Sequence, residues 1–118
     1  MTNSGYLPFE KLTAYQEARK LLAAVREASI SEARLRDQAL RAATSVCLNI
    51  SEGAGRRGAA DKARVYAIAR GESCEAAAAI ALTARLCREE AAQRGVRHAK
   101  AVHALLSGLI KRFGQPFE

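Results

Sequence analysis

Apolar residues recur along this chain at the three- and four-residue spacing of one helical face, and they do so in four stretches. In the first, Phe9, Leu12, Tyr15, Ala18, Leu22 and Val25 align, while Thr13, Glu17, Lys20 and Glu27 fall opposite. The spacing predicts a helix over 9–28, started at Pro8 and followed by turn and cap residues Ser29 and Ser31. The second stretch predicts a helix over 32–53. Leu35, Ala39, Ala42, Ala43, Val46, Ile50 and Gly53 share one face, and Asp37, Gln38, Arg41, Ser45, Asn49 and Glu52 the other. Leu48 is the lone large apolar residue on that polar side. The glycines of GAGRRG at 53–58 weaken a helix and end it.

The third stretch predicts a helix over 59–92, with Asp61 near the positive end of its dipole. Val65, Ile68, Ala69, Ala76, Ala79, Leu82 and Leu86 form its inner face, and Gly95 separates it from the fourth. That fourth helix, over 96–113, carries Val96, Ala99, Val102, Leu105, Leu106, Leu109, Ile110 and Phe113 opposite Arg97, Lys100, Ser107 and Lys111. Gly114 and Pro116 stop it. The expected architecture is all-α: an antiparallel up-down four-helix bundle forming a single domain over 1–118. Several apolar arcs are wider than one bundle core needs, which points to burial against further subunits.

Composition narrows the chemistry. The apolar mass is mostly Ala, Leu, Val and Ile, with 5% aromatic residues and no Trp. The odd count of 3 cysteines, Cys47, Cys74 and Cys87, contains no Cys-x-x-Cys pair. It argues against a disulfide framework or zinc site and for small core residues in a reducing cytoplasm. The start of the chain lacks the basic and apolar regions of a secretory leader, and no apolar run is long enough to span a membrane. The expected location is therefore cytoplasmic. No Glu-x-x-His pair exists, and His98 and His103 diverge around one helix, so neither a metal nor another cofactor is expected. GAGRRG lacks the preceding strand and following Lys-Ser/Thr of a phosphate loop.

Three polar groups remain. Glu72 and Glu75 stand one helical turn apart on an inner arc, with Arg41, Arg64 and Arg70 as candidate partners. As an acid/base pair they carry the weakest reading, an enzyme. Arg41, Ser45, Asn49 and Glu52 line up on the second helix, either as a recognition surface or as a polar seam between helices. Arg56, Arg57, Lys62 and Arg64 are the densest basic patch in a chain of net charge +7. No aromatic residue interleaves them, so binding of RNA or DNA would rest on salt-sensitive phosphate contacts rather than base stacking. Equally, the patch reads as a solubilising turn in an arginine-rich composition.

These residues carry a resemblance. FEKLTAYQEARKL at 9–21 resembles the opening of bacterial four-helix-bundle proteins encoded in intervening sequences of 23S ribosomal RNA genes. LRAATSVCLNISEGAGRR at 40–57 is similar to their most characteristic stretch, through Arg41, Ala43, Ser45, Asn49, Ile50, Glu52, Gly53 and Arg56. IARGESCEAAAAI at 68–80 matches a further segment at Gly71 and Glu75. Val46, Ser51 and Glu72 depart from the usual Ile, Ala and Ser. The resemblance implies a homopentamer around a central channel, no established enzymatic activity and an undefined role. It also implies kinship with a basic, pentameric accessory factor of diversity-generating retroelements, which binds nucleic acid and a reverse transcriptase. By that analogy the expected ligand is RNA or DNA, held by Arg56, Arg57, Lys62 and Arg64. The alternative is a scaffold that docks a partner protein, with basicity incidental.

Overall fold

The computed structural model describes residues 5–83 and 85–114, and every regular element among them is a helix. These are α1 (Thr13–Glu27), α2 (Ala33–Gly55), α3 (Ala59–Ala81) and α4 (Glu89–Gly114). α1 and α3 each pack on both α2 and α4. Gln38 and Arg41 meet Glu75, while Gly53 meets Tyr66, so α2 and α3 run antiparallel. Arg70 meets Ser107 and Gly95 meets Ile80, which sets α4 antiparallel to α3. Glu17 and Glu27 meet His98 and Arg94, so α1 is antiparallel to α4 in turn. The arrangement is that of an up-down four-helix bundle.

The core is built largely on alanine, with Leu21, Ile30, Val46, Ile50, Val65, Val102 and Leu106 as its large, fully buried members. Alanine lets helix axes approach, and each large residue contributes about 1.5–3 kcal/mol by leaving water. α2 matches its predicted face closely: Ala39, Ala42, Ala43, Val46, Ile50 and Gly53 are buried and Leu48 is exposed. Cys47 joins this core, and burial pushes its thiol pKa up.

Other expectations are corrected. α1 begins at Thr13 rather than residue 9, because the stretch after Pro8 forms tight turns closed by Glu10 N–H to Leu7 O and Leu12 N–H to Phe9 O. Its core face is Ala14, Ala18, Leu21, Ala24 and Val25, with Tyr15 and Leu22 at the edge. Glu17 therefore turns toward α4 instead of away from it. Glu32, not Ser31, caps α2 through a 2.6 Å bond from Arg34 N–H. Ser31 instead donates through N–H and Oγ to Leu86 O.

The largest correction is where the third helix ends. It stops at Ala81, not residue 92. Thr83 Oγ1 and N–H both reach the carbonyl of Ile80, and Arg85 adopts φ 69°, a left-handed conformation incompatible with a continuing helix. Arg88 N–H bonds Ala28 O, tying the connection to the α1–α2 turn. Leu82 and Leu86 are consequently exposed, and Ile68 lies on the outer face of α3. The fourth helix begins at Glu89, not 96, with Glu89 and Glu90 in its first turn. Gly95 lies inside it and breaks nothing. A Cβ there would sit 3.0 Å from Ile80 Cδ1 and 3.6 Å from Ala24 Cβ, so the glycine serves close approach of three helices.

Candidate nucleic-acid interface

The α2–α3 turn, residues 56–58, and the last turn of α4 lie at the same end of the bundle. Gly114 packs on Ala63, and Phe113 stacks obliquely on Tyr66 with ring centroids 6.2 Å apart. This end carries the predicted basic patch, but its members have different roles. Arg56 is bound on two sides, by Glu52 one helical turn back and by Asp61 Oδ2 at 3.2 Å. Both acids raise its pKa, the hydrogen bond that it donates to Glu52 most of all. Arg64 holds Asp61 Oδ1 through Nε and Nη2 at 3.1 and 2.9 Å. That bond, with help from Arg56, keeps the Asp61 carboxyl below its ordinary range. Arg56–Asp61–Arg64 is thus a brace that joins the end of α2 to the start of α3.

Lys62 is structural in a second way. Its Nζ donates to Ala54 O at 2.7 Å and reaches toward Gly53 O at 3.4 Å, satisfying carbonyls that the end of α2 leaves open. The same ammonium lies 5.8 Å from the Phe113 ring centroid. Arg57 is different: it is exposed and forms no ion pair among the described residues. Two cations absent from the sequence reading of the patch join it here. Lys111 and Arg112, on the last turn of α4, are exposed and form no ion pair among the described residues, though the Arg112 guanidinium lies 5.3 Å from the Phe113 ring centroid. Both were visible as a basic helix terminus; only the packing of Phe113 and Gly114 places them at the same end of the bundle as Arg57.

The polar residues singled out on α2 and α3 do not converge on one point. Arg41 Nη2 binds Glu75 Oε2 at 2.5 Å, and Gln38 donates to the same oxygen, bridging α2 to α3. Asn49 Nδ2 bonds both the carbonyl and the hydroxyl of Ser45, each at 3.0 Å, within α2. Glu52 belongs to the brace described above, and Gly53 lies against the Tyr66 ring. Glu72 Oε1 is buried with no hydrogen-bond partner among the described residues. Arg64 and Arg70, the other candidate partners of the two glutamates, are engaged with Asp61 and Ser107. A shallow groove runs along α2 between Leu40, Arg41, Thr44, Ser45, Leu48 and Asn49. His98 pairs with Glu17 at 2.8 Å, and His103 is exposed. No described helix is long and apolar enough to cross a membrane.

An antiparallel helical bundle with a cationic end and a polar stripe on α2 defines a class of small basic bundle proteins. More particularly, the chain belongs to the 23S rRNA-intervening sequence protein family, whose sequence profile matches residues 10–108. No curated protein matches it.

Proposed function

We propose that this protein is a non-enzymatic, cytoplasmic homo-oligomer, a homopentamer by family resemblance, that binds RNA or DNA through backbone phosphates. The observation that carries the reading is one juxtaposition: Arg57, Lys111 and Arg112, from segments far apart in sequence, stand at one end of the bundle without an ion pair among the described residues. Ring symmetry would repeat this cationic end around an assembly, and phosphate contacts multiply in their effect on affinity. Arg56, Lys62 and Arg64 support the surface and add to its potential, with part of their charge neutralised by Glu52 and Asp61. Self-association is supported by exposed Leu48 and Ile68 on the outer faces of α2 and α3.

Filter binding to RNA and DNA duplexes tests this. Affinity should fall about 10³-fold or more between low and moderate salt if six or more phosphates are engaged across the assembly. The triple substitution of Arg57, Lys111 and Arg112 to Ala should weaken all sequences evenly. Absence of binding at low salt would remove the proposal.

A second reading, a scaffold for a partner protein, is favoured by the groove on α2, where Leu48 is 63% exposed. It predicts a partner retained after nuclease treatment and released by Leu48→Asp.

A further inference from the structure

The connection between α3 and α4 borders an open-sided cavity of about 560 Å³, at the opposite end of the bundle from the cationic surface. Its size lies within the range of small-molecule sites. Ile80, Ala92 and Val96 supply an apolar floor, the first two buried in the bundle. Its charged lining residues are Arg85, Arg97 and Glu89, all exposed at its rim. None of the three forms an ion pair with another described residue, unlike Arg56 and Arg64 at the other end.

Two further observations bear on this cavity. Arg85 is held at φ 69°, where an arginine is disfavoured, and the strain falls at a residue that lines the cavity. Gln93 and the half-buried Cys87 also line the space. Cys87 Sγ lies 3.3 Å from the Thr83 hydroxyl, which anchors this side of the wall to the end of α3.

We infer that this cavity binds a small organic monoanion: a carboxylate joined to an apolar body. The apolar body lies on Ile80, Ala92 and Val96, and the carboxylate accepts from Arg85 and Arg97. Two cations and one anion leave the lining a net charge of one positive, which suits a monoanion better than a phosphate dianion. The site is independent of the nucleic-acid reading, because it shares no residue with the cationic end.

Cys87 makes the test local. Alkylation of the full-length protein by iodoacetamide, mapped by mass spectrometry, reports occupancy of the cavity at Cys87, with exposed Cys74 as internal control. The probe is 2-naphthoate; 2-naphthol offers the same ring without charge, and inorganic phosphate the charge without the ring. Naphthoate should slow alkylation of Cys87 saturably, with a half-maximal concentration at or below about 1 mM, and leave Cys74 unaffected. Naphthol and phosphate should each require about tenfold more. Arg97→Ala should weaken protection by naphthoate about tenfold. Arg85→Gly should do the same, and glycine suits the local backbone, so folding is preserved. No saturable protection, equal protection by naphthol or phosphate, or protection unchanged in both variants would overturn the inference.

Discussion

Gly53 of α2 lies so close to Tyr66 of α3 that a Cβ at position 53 would stand 2.8 Å from Tyr66 Cε1 and 2.9 Å from Cδ1. Tyr66 is itself buried and packs against Phe113, so its ring has little room to retreat. The glycine that ends the buried face of α2 is therefore a packing residue, and it draws the ends of three helices together beneath the cationic surface.

Gly53→Ala should destabilise the protein by about 1–3 kcal/mol, overpacking outweighing a helix-propensity gain of up to about 1 kcal/mol. Gly71, in α3, has nothing within 4 Å of an added Cβ, so Gly71→Ala should stabilise by about 0.5–1 kcal/mol. Denaturant titration of both variants decides the matter. Equal stabilisation by the two would show that Tyr66 moves aside freely.

Lys62 separates structure from binding. Lys62→Met keeps most of the aliphatic stem but removes the donor to Ala54 O, and should cost about 1 kcal/mol of stability. Arg57→Ala should leave stability nearly unchanged and reduce nucleic-acid affinity more than Lys62→Met does. Thermal melts and filter binding on the same samples test the ordering. A larger binding loss for Lys62→Met would make Lys62 a direct phosphate contact.

Glu17 and His98 join α1 to α4, and the His98 bond is the first cause holding the Glu17 carboxyl below its ordinary value of 4.5. A depressed carboxyl pKa in the folded state stabilises at pH above the unfolded value and loses that contribution as pH falls through the folded value. The stability difference between the natural protein and Glu17→Gln should thus be full above about pH 5 and shrink steadily below about pH 4. A difference that stays constant on acidification would mean that the carboxylate's charge contributes nothing.

Self-association should depend on the outer faces of α2 and α3. Leu48→Asp places a charge where a 63% exposed leucine would be buried by assembly, while costing the isolated fold little. Light scattering should show loss of the oligomer with helical circular dichroism retained. An unchanged mass would move the interface elsewhere.

Much of the secondary structure was legible because a helix with one buried side must repeat its apolar residues every three to four positions. α2 is the clearest case, where a strict alanine-rich face became the buried face. The end of α3 was not legible. No glycine or proline marks residues 82–88, and the stop is made by Thr83 folding back on Ile80 and by bonds that Ser31 donates to Leu86 O and Arg88 to Ala28 O. Gly95 misled for the opposite reason: it reads as a breaker, whereas its missing side chain admits Ile80 and Ala24.

For the candidate site the division is similar. Cation content, the clustering of Arg56, Arg57, Lys62 and Arg64, and the motif bearing Gly53 follow from residue identity alone, since charge and side-chain size belong to each residue wherever it is placed. Which cations remain free does not. Asp61 and Glu52 claim Arg56 and Arg64, the end of α2 claims Lys62, and the packing of Phe113 on Tyr66 brings Lys111 and Arg112 to the same end as Arg57. Those outcomes depend on distances between segments up to half the chain apart, and only the packed bundle sets them.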